Sequence, residues 1–78
     1  MANTQPRFEF DGVRMAEDML LKGWLAPDLA RRAGVSDMTV YRFLSGQAQT
    51  SKMAIRLSTA LGQKVSRYLI APKRMKVA

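Results

Sequence analysis

The chain has 78 residues, 47% of them hydrophobic, with no Cys and no His. That length supports one small domain, and without thiol or imidazole it excludes disulfides, Cys/His zinc sites, a cysteine nucleophile and a histidine base. The net charge of +7 is unevenly spread: residues 1–37 hold all six acids and net −1, whereas residues 38–78 carry no acid and net +8.

So basic a half suits a polyanionic partner, with a solvated basic surface or attraction to anionic lipid as the plain alternatives. Catalysis is not expected. Glu17 and Asp18 are adjacent on a predicted helix and point in different directions, and no Gly-rich phosphate loop is present. No apolar run approaches the ~20 residues of a membrane helix, and no signal-peptide pattern opens the chain. The expectation is a cytoplasmic protein, nucleoid-associated if the polyanion is DNA, with no cofactor, metal or small-molecule ligand. A core this small gains from a second subunit.

Residues 1–10 read as an arm: "MANTQPR" is irregular, and "RFEF" is either a short extended segment or two phenylalanines covering the core. The domain proper spans 11–70. A first helix runs from Asp11 or Gly12 to Lys22, with Val13, Ala16 and Leu20 on its inner face, Met19 and Trp24 extending it and Gly23 as its stop. A second runs from about Pro27 to Ala33. Proline suits a first turn, Asp28 complements the positive helix end, Leu29, Ala30 and Ala33 face inward, and Arg31 and Arg32 face outward. Gly34 ends it in the left-handed conformation.

Ser36 caps a third helix with Asp37 in its first turn. Val40, Phe43 and Leu44 repeat at i, i+3, i+4 and face inward, which leaves Met38, Thr39, Tyr41, Arg42 and Ser45 outside; Gly46 closes the helix. "QAQT" is a polar loop. Thr50 or Ser51 caps a fourth helix through Leu61, with Ala54, Leu57 and Leu61 as its stripe and Ile55 beside it, and Gly62 as its stop. A short fifth helix from about Val65 to Ile70 buries Val65 and Leu69, and Pro72 ends it before a basic tail, residues 71–78, with Lys73, Arg74 and Lys76. The expected fold class is all-α, about five short helices.

Only "GVS" separates the second and third helices. Gly34 permits the reversal, Val35 fills the angle, Ser36 restarts the hydrogen bonding, and Ala30 is small where the third helix crosses. "DLARRAGVSDMTVYRFL" has the spacing of a helix-turn-helix. It resembles the lambda-repressor-like DNA-binding domains, including Cro/XRE-type regulators, over residues 11 to 70. "LSGQAQTSKMAIRLSTALGQKVSRYL" is similar to that family's turn, Ser-capped helix, "ALG" end and closing helix. "AGVSDMTVYRFL" is also similar to the headpiece of lac-repressor-type regulators. One departure is Leu25–Ala26–Pro27, where the family often has a polar cap, so no phosphate contact by a side chain carries over to these positions.

The resemblance implies a third helix lying in the major groove, with Asp37, Met38, Tyr41 and Arg42 at base-reading positions. Arg42 can donate twice to guanine O6 and N7, Met38 suits a thymine methyl, and Tyr41 offers a ring edge and a hydroxyl. Asp37 either accepts from cytosine N4 or acts through the helix dipole. Thr39, Ser45, Gln47, Gln49, Ser51, Lys52, Arg31 and Arg32 would flank the groove at the DNA backbone. A sequence-specific transcriptional repressor is implied, of phage or mobile-element type given its shortness, dimeric on a palindromic operator. The "RFEF" arm and the "VSRYLI" segment are the candidate dimer surfaces. A DNA-binding antitoxin or an architectural recombination factor shares this chemistry. A protein- or RNA-interaction module on the same scaffold is the reading of another class, with Tyr41 and Tyr68 as its aromatic platforms.

Overall fold

The computed structural model of the protein describes residues 8–70. The expected leader 1–7 and basic tail 71–78 lie outside them. In chain order the described residues form β1 (Glu9–Phe10), α1 (Gly12–Leu21), α2 (Ala26–Ala33), α3 (Asp37–Leu44), α4 (Ser51–Ala60), a 3-10 turn (Val65–Arg67) and β2 (Leu69–Ile70). The protein is thus mostly helical, with a two-stranded antiparallel ribbon in which Glu9 pairs Ile70 and Phe10 pairs Leu69.

Each α-helix starts where a side chain or carbonyl can take its orphan N–H groups. Asp11, Ser36 and Thr50 cap α1, α3 and α4 by accepting from Arg14, Thr39 and Met53. α2 begins after Leu25, which has no acceptor to offer; instead the Asp28 carboxylate reaches back to the Leu25 N–H at 2.9 Å. That contact, more than the neighbouring Arg31, holds the Asp28 carboxyl below its ordinary value. Gly34 ends α2 at φ 75°, ψ 34°, and Val35 N–H donates to the Ala30 carbonyl at 3.0 Å.

The core lies where the four helices meet. Met15, Leu29, Val40, Phe43, Ala54, Leu57, Leu61 and Tyr68 are buried within it, and the Phe10 and Phe43 rings sit 5.8 Å apart. α2 packs on both α3 and α4, and α1 packs on α3.

Three expectations are corrected here. α1 buries Gly12, Met15, Asp18 and Met19, not Val13 and Leu20, which are 69% and 66% exposed. The helix is rotated by roughly one residue, ~100°. Two contacts set that rotation. A Cβ on Gly12 would lie 2.8 Å and 2.9 Å from the carbonyl carbon and Cα of Leu44, so only glycine lets the start of α1 approach α3 so closely. Asp18 is drawn inward by residues fifty positions away: Arg67 Nε and Nη2 donate to its carboxylate at 2.6 and 2.9 Å, and the Tyr68 hydroxyl donates at 2.5 Å. Arg67 holds the Asp18 carboxyl down at about 2, against the opposing cost of burial and with help from Tyr68.

The fifth helix is the second correction: it is one 3-10 turn followed by a strand, which leaves Val65 half-buried and Leu69 43% exposed while Tyr68 takes the interior position. Asp18 selects Tyr68 for burial, and Asp11 N–H takes the Tyr68 carbonyl at 2.7 Å. Of the two alternatives for "RFEF", the extended one is realised, Glu9 and Phe10 forming β1 with Phe10 buried in the core. Third, Ile55 is 53% exposed, its place beside the stripe filled by Ser58, whose buried hydroxyl donates to the Ala54 carbonyl at 2.6 Å.

Candidate nucleic-acid interface

α3 is two-sided. Val40 and Phe43 are fully buried, which anchors the helix, while Asp37, Met38, Tyr41, Arg42 and Ser45 are exposed. Met38 and Tyr41 are 55% and 53% exposed, a large apolar and an aromatic side chain held toward solvent on one short helix. Burying such groups is favourable wherever a partner surface is offered, and a duplex groove offers thymine methyls and base edges. Arg42 stands beside them with no ion pair among the described residues.

Thr39 is half-buried, its hydroxyl 2.9 Å from that of Ser36. Ser45 donates its hydroxyl to the Arg42 carbonyl at 3.1 Å, helping to end α3. Gln47 is exposed beyond that end, and its N–H takes the same carbonyl at 2.8 Å. Ser51 and Lys52 are exposed in the first turn of α4, where backbone N–H groups lack intrahelical acceptors. They therefore sit just beyond the Gln47–Thr50 loop, close in sequence to the outward end of α3.

Gln49 belongs elsewhere. Its amide accepts from Phe10 N–H at 3.1 Å and donates to the Phe10 and Phe43 carbonyls, both at 2.9 Å. It is a cross-tie joining β1 to the end of α3, with no donor left over for a phosphate. Arg31 is exposed but shared, its Nη2 donating to Asp28 at 2.9 Å. The Arg32 guanidinium lies 4.3 Å from the Trp24 ring centroid, a cation–π contact, so Trp24 is a half-buried platform and not simply core.

Arg56 escaped the sequence reading. It is exposed on α4, one turn beyond Lys52, and the i, i+4 spacing of two cations on a helix was the signal available. The Asp18–Arg67–Tyr68 cluster had no comparable local signal, because its members lie about fifty residues apart. Of the two aromatic platforms considered for RNA, Tyr68 is buried and its hydroxyl engaged, leaving Tyr41. Among the described residues no helix is long and apolar enough to cross a membrane. Compared with protein-family models, curated proteins and solved structures, the chain matches none.

Proposed function

We propose that the protein is a sequence-specific DNA-binding transcriptional regulator, a repressor, that inserts α3 into the major groove. The observation that carries this reading is the outward trio Met38, Tyr41 and Arg42 on a helix anchored by Val40 and Phe43, the trio standing where the acid-free, basic half of the chain begins just after Asp37. The short turn supports it too: small buried Ala30, left-handed Gly34 and Ser36 as cap stand at helix-turn-helix spacing. Arg42 reads guanine, Met38 packs on a thymine methyl, and Tyr41 contributes its ring edge and hydroxyl. Asp37 serves the positive end of α3.

One helix reads only a few base pairs, so the working unit is a two-fold dimer on a palindrome. The two segments expected as dimer surfaces come together as one ribbon, β1 with β2. Beside it Phe8, Phe10, Ile55, Val65 and Leu69, with Ser51, line a largely apolar cleft of about 160 Å³. Phe8, Ile55 and Leu69 are each 42–53% exposed there, and Ile70 is 43% exposed on β2, an apolar face that a second copy would cover.

The test is selection of bound sites from a random duplex pool by the wild-type chain and by Arg42→Ala. A palindromic consensus is expected from the wild type, with loss of preference at one base pair per half-site in the variant, worth about 1–3 kcal/mol. Failure of the wild type to enrich any sequence would sink the reading.

A further inference from the structure

Three cations share one groove with no acid opposite them. Arg32 on α2 and Lys52 and Arg56 on α4 line a depression of about 420 Å³ together with Ala33, Thr59, Ala60 and Ile55, which also borders the apolar cleft. None of the three makes an ion pair among the described residues, where the paired carboxylates are Asp11, Asp18 and Asp28 with Arg14, Arg67 and Arg31. Lys52 and Arg56 stand four residues apart on one helix face, an arrangement that costs stability when both charges are alike. The Trp24 ring holds the Arg32 guanidinium in place without neutralising it. An anion in the groove relieves all three.

The position of the groove identifies the anion. Arg56 Nη1 lies 3.9 Å from where a Cβ on Gly34 would sit, at the turn that opens α3. Lys52 lies in the first turn of α4, just after the loop that leaves α3. The groove therefore reaches the turn at the start of the outward helix. The geometry points to a backbone clamp, in which Arg32, Lys52 and Arg56 grip consecutive phosphodiesters of one DNA strand bordering the groove that α3 enters. This rests on the DNA-binding reading above, which expected Arg32 and Lys52 at the backbone; the groove adds Arg56 and joins the three in one site. The arginines supply forked donors matched to phosphate oxygens, and the lysine a mobile point charge. Phosphate contacts carry no sequence information, so the clamp sets affinity and register while α3 sets selectivity.

The test compares the triple variant Arg32→Gln/Lys52→Gln/Arg56→Gln with a charge-matched triple, Arg7→Gln/Arg14→Gln/Lys64→Gln, that leaves Trp24 and its two cations untouched. Affinity is measured on the selected duplex and on a scrambled one between about 50 and 200 mM salt. Each lost phosphate contact reduces the slope of log K against log salt by ~0.9. The clamp triple is expected to lose about 2–3 in slope and to weaken both duplexes alike, leaving their ratio unchanged. The control triple is expected to lose less than half as much. If the clamp triple melts well below the wild type, Arg56→Gln alone serves, with an expected loss of about 1 in slope. Equal slopes for the two triples overturn the clamp, even where the wild type prefers the selected duplex. A wild type that binds both duplexes equally, with the slope loss confined to the clamp triple, overturns the sequence-specific reading and leaves the clamp standing. No binding to either duplex overturns both.

Discussion

Asp18 is a buried carboxylate that the fold keeps ionised. Its partners reach it from the far end of the described chain, with Arg67 forked onto both oxygens and the Tyr68 hydroxyl on one. Burial and Asp18 together push the Tyr68 hydroxyl above its ordinary range, so it stays a donor at any working pH. Because Asp18 is held down at about 2 from an ordinary 3.8, folding is favoured by its ionisation. That contribution is complete above pH 3.8 and is lost as pH falls toward about 2. Asp18→Asn removes the charge while keeping the shape, and should cost about 1.5–3 kcal/mol at neutral pH, the range for hydrogen bonds to charged groups. Urea midpoints of wild type and variant, measured from neutral pH down to about 2, should converge in the acid range. Parallel curves there would mean that the Asp18 cluster does not set acid stability. Nothing near Asp18 in the sequence announces this role, because its partners are set by topology.

Among the elements, those whose limits depend on local chemistry were readable and those set by distant contacts were not. Ser36, Gly34 and the Val40/Phe43 spacing fix α2, the turn and α3 within a few residues of one another, and these stand where the pattern places them. α1 carries two competing stripes, Val13–Ala16–Leu20 and Gly12–Met15–Met19, and periodicity alone cannot choose between them. The choice is made by Leu44 against Gly12 and by Arg67 against Asp18. Likewise "VSRYLI" has helical spacing, yet pairing with β1 and burial of Tyr68 turn it into a 3-10 turn and a strand. On the site side, the outward face of α3 followed from its inward one, whereas Gln49 read as a loop residue until its partners Phe10 and Phe43 were known. The turn offers a direct check. At Gly34 a Cβ meets nothing closer than Arg56 Nη1 at 3.9 Å, so any penalty is backbone strain from φ 75°. Gly34→Ala should destabilise by about 1–2 kcal/mol, and Gly34→Asn by less, since asparagine visits that region more readily. Thermal midpoints in the order wild type, Asn, Ala are expected; an Ala variant as stable as wild type would show that the turn can relax out of the left-handed conformation.

At the scale of the whole molecule, a bundle this small binds DNA usefully only if two copies act together. A two-fold dimer of the proposed kind would set its two α3 helices about 34 Å apart, one turn of duplex. Leu69 tests the proposed face. It lies in β2, 43% exposed, at the wall of the apolar cleft and outside the basic groove. Leu69→Lys would place a charge in the proposed interface and so favour the monomer, yet it adds a cation, so any fall in DNA affinity cannot come from lost attraction to phosphate. Linking two half-site contacts through a dimer raises apparent affinity by about 10²–10⁴. The variant should therefore sediment as a monomer and lose about a hundredfold or more on the full palindrome. On a single half-site duplex it should bind as well as the wild type or slightly better. A variant that sediments as a dimer and holds the full palindrome unchanged would place the two-fold contact away from the β1–β2 ribbon; a wild type that is monomeric both free and on DNA would remove the dimer altogether.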